Sequence, residues 1–388
     1  MKKIKRTLPA LGIMIGLLTF NPGIGLAQES ETTVPGLKYG SPETFAEFHG
    51  FVNLTYFDFE KDGERNNRGD SSFDQHYFYF NASAKVRHNV KVLGSIEYEH
   101  GGEVILIDQA FIDWGIVEDV LNLQLGKFYS PFGLELGEYQ HPVRKLVTRP
   151  LMARNLLFNE WIESGVNVHG RLRMADSPFS VDYSLAVVNG PNDDDGSDSD
   201  TTPEILEVGT GANPNVGGTG DARQNRDNNS DRTLIGRLGA NIPGGISLGV
   251  SYSTGRYSDA NTADLGFSLI GVDANLRVMG LDLRGEWAKR SIDVTTSTDR
   301  ESYSYYVQSS YKYVFARPAI HYIEPVVRYD FLNPGDPANS QGDRERISLG
   351  INYSPYPHFK FGTEWQINNE DRSKKKDNGF LLQAVVDF

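Results

Sequence analysis

From about residue 44 to the end of the chain, apolar and polar side chains alternate one by one. In 379–388, Phe380, Leu382, Ala384, Val386 and Phe388 fall on one face, and Leu381, Gln383, Val385 and Asp387 on the other. In 359–368, Phe359, Phe361, Thr363, Trp365 and Ile367 alternate with Lys360, Gly362, Glu364, Gln366 and Asn368. The segments 165–174 and 269–278 repeat the pattern. A period of two is the signature of a strand with one apolar face. It predicts strands at 45–59, 73–87, 90–100, 104–116, 121–129, 163–174, 179–189, 232–241, 245–256, 266–278, 281–290, 302–315, 318–331, 344–354, 358–368 and 379–388, sixteen in all. No segment has the 3.6-residue period of an amphipathic helix.

The connections between these strands alternate in length. Short ones fall at 88–89, 117–120, 175–178, 242–244, 279–280, 316–317 and 355–357. Long ones fall at 60–72, 130–162, 190–231, 257–265, 291–301, 332–343 and 369–378, and only 101–103 departs from the rule. Short turns at one end and long loops at the other is the layout of a transmembrane antiparallel β-barrel, with short periplasmic turns and long extracellular loops. Charge placement says which face is which. The polar faces carry His169, Arg171, Arg173, Arg237, Arg277, Arg284, Glu324, Arg328, Asp330, Arg346 and Lys360, with Asp273, Glu286 and Glu364 among them. One Arg or Lys facing lipid near the midplane costs about 2–4 kcal/mol. So many are tolerable only if they face inward, which makes them the expected lumen lining. A barrel of sixteen strands is wide enough to enclose water.

Tyr56, Phe57, Phe59, Tyr303, Tyr305, Tyr311, Tyr313, Trp365 and Phe388 sit near predicted strand ends, where aromatic girdles form at the membrane boundary. The first residues are of another kind. Lys2, Lys3, Lys5 and Arg6 precede an apolar run from Leu8 to Phe20 and a small-residue site at Gly25-Leu26-Ala27. That is the order of a secretory signal peptide, expected to span 1–27. Residues 28–43 read as a polar periplasmic lead-in to a barrel over 44–388.

Composition narrows the function. The chain carries 38 basic and 51 acidic residues, a net charge of −13. Residues 1–27 hold four of the basic ones and none of the acidic ones, so the mature chain is more acidic still. No basic stripe is available for nucleic acid. The absence of cysteine removes thiolate nucleophiles and cysteine-ligated metals. No Gly-x-Ser-x-Gly, His-Glu-x-x-His or phosphate-cradling glycine loop is present. His76, His88, His100 and His141 are not matched to a particular serine and acid, so an enzyme is not expected. No cofactor or metal is implied.

Two long loops hold the remaining candidates. Loop 130–162 is rich in apolar residues, Leu134, Leu136, Leu156, Leu157, Phe158 and Trp161, which an exposed loop would waste. It is expected to fold into the lumen as a constriction. Lys127, Arg144, Lys145, Arg149 and Arg154 are then the candidate basic side of that constriction, unless they pair with the loop's own Glu135, Glu138 and Glu160. Loop 190–231 carries Asn192-Asp193-Asp194-Asp195-Gly196-Ser197-Asp198 and is expected to be a solvated acidic extracellular loop. Weak divalent bridging to lipopolysaccharide is its alternative. On the wall, His169, Arg171 and Arg173 share one face of one strand, about 7 Å apart in turn. They form either an anion path or an ion-pair lattice with Asp182 and its neighbours.

The segment Leu125-Gly126-Lys127-Phe128-Tyr129-Ser130-Pro131-Phe132-Gly133-Leu134-Glu135 resembles the strand-to-loop entry of the phosphate-selective porin O and P family. So do Ser164-Gly165-Val166-Asn167-Val168-His169-Gly170-Arg171-Leu172, Asn189-Gly190-Pro191, Ile323-Glu324-Pro325-Val326-Val327-Arg328-Tyr329-Asp330 and Gly350-Ile351-Asn352-Tyr353-Ser354-Pro355. The terminal Phe388 is similar to the assembly signal of bacterial outer-membrane proteins. The resemblance implies an outer-membrane porin, usually a homotrimer, with an anion-preferring pore and inorganic anions such as phosphate as solutes. It also implies outer-membrane lipid, lipopolysaccharide and the barrel-assembly machinery as partners. The loop departs from the dense basic set of phosphate-selecting members, since its four basic residues and His141 face three glutamates. A non-selective or cation-leaning general porin, and a structural or adhesive barrel, are the alternatives.

Overall fold

The computed structural model describes residues 37–40, 44–60, 71–102, 104–138, 142–158, 161–174, 177–191, 231–257, 265–293, 300–317, 319–335, 342–372 and 377–388. The signal segment 1–27, most of loop 190–231 and His141 lie outside them.

Every predicted strand is present within a few residues. In chain order they are β1 (Phe45–Phe59), β2 (Tyr77–Arg87), β3 (Val90–Glu99), β4 (Val104–Val117), β5 (Leu121–Tyr129), β6 (Ile162–Arg173), β7 (Ser180–Val188) and β8 (Thr233–Ile242). The second half is β9 (Ile246–Arg256), β10 (Gly266–Val278), β11 (Leu281–Ile292), β12 (Arg300–Tyr311), β13 (Ile320–Asn333), β14 (Arg344–Ser354), β15 (Phe359–Glu370) and β16 (Gly379–Asp387). Each pairs antiparallel with the next, and β16 pairs with β1 from Gly379↔Phe59 to Asp387↔Phe51. The sheet is therefore a closed sixteen-stranded barrel with no free edge, as hydrocarbon requires.

Three further strand segments are local. Ser71–Asp74 prolongs β2 beyond an interruption at Gln75 and His76, and Tyr313–Arg317 continues β12 past Lys312. The third, Leu37–Gly40, pairs antiparallel with the start of β1, Leu37 opposite Phe48. The expected polar lead-in thus contains sheet, because backbone groups beside the open start of β1 gain hydrogen bonds by adding to it.

The outward faces are apolar, as the alternation requires. Ile270, Val272, Ile347, Leu349, Ile351, Leu382 and Val386 all point out of the barrel and are exposed, while Asp273, Arg346, Ser348, Asn352 and Gln383 between them are buried inside. Tyr303, Tyr313, Trp365 and Phe388 are exposed with this outer set. Phe57 and Phe59 are not. They are buried inside the barrel with Leu381 and Val147, so the girdle reading of these two is corrected. Their inner-face neighbour Leu381 is the cue: an apolar residue on the lumen side needs something apolar to cover it, and Val147 comes from the loop after β5.

Candidate functional site

Between β5 and β6 the chain leaves the wall and returns to it. Its base is closed by the Ser130 N–H donating to the Trp161 carbonyl at 2.9 Å. Phe132, Leu136, Met152, Leu156, Leu157, Phe158 and Trp161 form one buried cluster with inward-facing residues of the wall, Ile235 of β8, Phe267 and Leu269 of β10, Ala288 and Ile292 of β11, and Tyr306 of β12. Complete burial of each large side chain is worth about 1.5–3 kcal/mol. The loop is therefore bound to the inner wall and occupies part of the lumen. Two glycines permit the close approach. A Cβ on Gly271 would stand 2.8 Å from the Phe132 ring. Gly133 has φ +66°, and a Cβ there would stand 2.2 Å from a Glu286 carboxylate oxygen.

Polar docking follows a consistent rule: wall carboxylates take loop N–H groups, and wall cations take loop carbonyls. Glu286 accepts the Leu134 and Glu135 N–H groups, each at 2.8 Å, and the Tyr306 hydroxyl at 2.6 Å. Glu364 accepts both the Thr148 N–H and its hydroxyl at 2.7 Å. Asp330 accepts the Leu151 N–H at 3.1 Å, at the start of the loop's short helix α1 (Leu151–Asn155). From the other direction, Arg237 donates to the Gly133 carbonyl at 3.0 Å and to Asp273 at 2.7 Å. Arg328 donates to Asp330 at 2.7 Å and to the Thr148 and Arg149 carbonyls at 2.9 and 3.2 Å. Lys360 donates to the Arg144 carbonyl at 2.7 Å and the Pro142 carbonyl at 3.2 Å. Arg290 reaches the Leu156 carbonyl at 3.2 Å with its guanidinium over the Phe158 ring.

This changes the reading of the lumen-lining candidates. Arg328 is 1 % exposed and Asp330 0 %. Arg284, Glu324, Arg346 and Lys360 are buried as well. These charges do face inward, but they meet the loop and one another rather than open water. Buried charges persist only with such partners. Arg346 donates to Asn368 at 2.7 Å, and Arg284 lies 3.8 Å from Asp282.

The constriction candidates divide. Arg149 and Arg154 are buried, 4 % and 6 % exposed, and Arg149 lies 3.4 Å from Glu135. Arg149 is tied to the loop's own glutamate and both side chains are enclosed, so neither faces a water-filled opening in this chain, which departs from the expectation for these two. Lys145 and Arg144 are only half-buried. Lys145 bridges to Glu324 at 2.7 Å with Asp282 at 4.0 Å, and Arg144 donates to the Val147 carbonyl at 3.3 Å. Lys127 stays on β5, in register with Ala110 and Ser164 and one residue before the buried Phe128.

His169, Arg171 and Arg173 occupy the opposite situation. His169 lies 3.1 Å from Asp113, Arg171 pairs with Asp182, and Arg173 lies 2.8 Å from Asp119. The ion-pair lattice is therefore what forms. It remains wet: the Arg171 and Arg173 side chains are 48 % and 60 % exposed. Arg173 holds the carboxyl of Asp119, in the turn between β4 and β5, below its ordinary range by hydrogen bond and charge. Arg277 joins this wet set, 55 % exposed beside Asp282.

Sequence reasoning passed over the docking partners Ser251, Tyr306, Asn352 and Thr148. Ser251 accepts the Gly133 N–H at 3.1 Å, and Asn352 donates to the Lys145 carbonyl at 2.8 Å. For Ser251 and Asn352 the one visible signal is a small or polar residue on an inner face of the wall.

The family model for phosphate-selective porin O and P matches residues 55–387. No curated protein matches the chain by sequence. Among solved structures, the chain is similar to an anion-selective porin from Comamonas acidovorans, with a TM-score of 0.61 and 12% identity over 89% of this chain and 100% of that one. The outer-membrane channel DcaP of Acinetobacter baumannii gives 0.59 and 12% over 90% and 99%. The trimer form of OmpT, an outer-membrane protein of Vibrio cholerae, gives 0.56 and 12% over 89% and 100%. At these identities the likeness is one of fold.

Proposed function

The chain belongs to the phosphate-selective porin O and P family, and on that premise we propose that it passes small hydrophilic solutes by passive diffusion with a preference for inorganic anions. It is a porin of the bacterial outer membrane. The observation that carries the anion reading is the edge of the docked loop. There Arg144 and Lys145 stand half-buried beside Lys360, whose ammonium binds the Arg144 carbonyl. Fixed charge at a narrow, partly dehydrated passage selects by sign.

The test is the reversal potential of single channels in a planar bilayer across a tenfold KCl gradient, followed by addition of phosphate. An anion-selective sign, with chloride current reduced by phosphate, supports the reading. A cation-selective sign favours a general porin, and no conductance favours a structural or adhesive barrel.

Homotrimer formation draws on the trimeric OmpT relative in fold. Phe388 is assigned the assembly signal because its ring faces out while its backbone closes the barrel on Gly50, at 2.8 and 2.9 Å. Its deletion is expected to leave chains in the periplasm, while the fraction that inserts conducts normally. Cleavage after Ala27 is expected to make Gln28 the first residue of the mature chain, as read by N-terminal sequencing. Loop 190–231 is assigned as a solvated acidic extracellular loop, with weak divalent bridging to lipopolysaccharide as its alternative.

A further inference from the structure

At the end of the barrel where the connection 60–70 leaves the wall, three side chains with metal-ligating atoms meet outside the docked loop's territory. The Nδ1 of His76 lies 2.9 Å from Asp74 Oδ2, and the Nδ1 of His100 lies 3.1 Å from the same oxygen. One ligand atom from each of the three lies within 4.8 Å of the others. The two imidazole rings stand edge to face, with centroids 4.9 Å apart.

The backbone holds this arrangement in place. The prolongation of β2 at Ser71–Asp74 is in register with β1, Thr55 opposite Asp74, while Val52 is opposite Phe78. The register therefore slips by one residue at Gln75 and His76, where the strand is interrupted, and Asp74 and His76, two positions apart, meet on one side of the chain. His100 comes from the turn after β3 and has φ +48°, an uncommon conformation for a residue with a side chain. Two backbone bonds fix that turn against β2: the His100 N–H to the His76 carbonyl and the Gly101 N–H to the Gln75 carbonyl, both at 3.0 Å. Strain of about 1–3 kcal/mol at a non-glycine residue persists where surrounding structure enforces it, and such residues gather at binding sites.

We propose that Asp74, His76 and His100 bind one divalent cation of the zinc class (Zn²⁺, Co²⁺ or Ni²⁺), with water completing the coordination. Two imidazoles and one carboxylate suit borderline-soft ions and do not suit Ca²⁺ or Mg²⁺, which take oxygen ligands. The dimensions agree. Ligand atoms about 2.0–2.1 Å from a tetrahedral ion stand roughly 3.3–3.5 Å from one another. The two nitrogen–carboxylate distances, 2.9 and 3.1 Å, need open by only a few tenths of an ångström, and the three ligand atoms already lie within 4.8 Å of one another. In the metal-free state the histidine Nδ1 atoms hydrogen-bond to the carboxylate. Binding transfers those nitrogens to the ion and moves each ring proton to Nε2. The side chains are 13–22 % exposed, which leaves a path for the ion and its water from the surrounding solvent. The bound ion ties the β2 prolongation to the turn after β3 and so braces the rim of the barrel.

The experiment is calorimetric titration of the full-length protein in detergent with ZnCl₂, after treatment with a chelator, and visible absorption on Co²⁺ addition. One ion per chain is expected, with the intense Co²⁺ bands of a low-coordinate site and a rise in melting temperature. H76Q, H100Q and D74N should each weaken Zn²⁺ binding by about tenfold or more and abolish the Co²⁺ bands. Wild-type single-channel conductance in each variant shows that the barrel has assembled. H358Q, which removes a histidine paired to one carboxylate at 2.9 Å, should leave the stoichiometry unchanged. No stoichiometric Zn²⁺ uptake by the wild type, or uptake unaltered in H76Q and H100Q, overturns the proposal.

Discussion

The inner wall carries the same residue types in two regions and uses them differently. Where the loop docks, Glu286, Arg328, Asp330 and Glu364 are buried and each binds loop backbone across the lumen. Around β6 and β7, Arg171 pairs with Asp182 on the wall and Arg173 with Asp119 in a turn, and these side chains stay wet. Burial raises what a lost partner costs, since an orphaned buried group cannot turn to water. Exposed pairs are worth about 0–1 kcal/mol, and salt screens them. The first region should therefore govern the width of the channel, and the second only the local potential along it.

Breaking the dry region gives the largest effect. In E286Q the side chain keeps its shape but offers one carbonyl and one NH₂ group to two loop N–H donors. One buried donor then faces another donor, at a cost of about 1–3 kcal/mol. The loop is expected to loosen from β11. Single-channel recordings should show a higher, noisier conductance, and limited proteolysis should cut within 130–161. Conductance and protease resistance equal to wild type would mean that the apolar cluster alone holds the loop.

G271V tests that cluster directly. Its new side chain enters space held by the Phe132 ring, and overpacking of this kind costs about 1–3 kcal/mol. The expected result is a lower melting temperature with conductance shifted in the same direction as in E286Q. The two variants should be less than additive, because both act on the same docking surface.

How far these features were legible in the sequence follows from the range of the interactions. The strands were legible because alternation is local: Ile347, Leu349 and Ile351 betray an outward face without reference to any other strand. The inward fold of the loop was legible in outline from Leu136, Leu156, Leu157 and Trp161. Its seating was not. Glu286 and Leu134 are 152 residues apart, and Glu364 and Thr148 are 216 apart. In each case one partner is a backbone group, which leaves no trace in residue type. Arg149 is a different case: in the sequence it reads equally as a pore residue or as a partner of Glu135, and the burial that decides for Glu135 comes only with the docking of the loop.

At the boundary between the two regions, the double variant R144A/K145A should act on selectivity with a small effect on width. Removal of Lys145 leaves Glu324 with Ser310, which donates at 2.8 Å, and Asn352. The carboxylate then adds negative charge beside the passage, so the reversal potential should move toward cations. A reversal potential that does not move would place the ion path away from the loop edge.

The smallest effect is expected in the wet region, where ionic strength decides whether it can be seen at all. R171A removes one cation from the Asp182 pair and leaves the Arg173–Asp119 pair in place. The Debye length is about 10 Å at 0.1 M salt and about 3 Å at 1 M. At 1 M the altered charge is screened within a side-chain length, so reversal potential and conductance should equal wild type. At 0.1 M the uncovered Asp182 carboxylate reaches a passing ion, and anion preference should fall by a modest factor. Melting temperature should hold, since a half-exposed pair contributes little to stability. A shift that survives at 1 M salt, or a loss of stability comparable to that of E286Q, would show that the β6–β7 charges belong with the dry region after all.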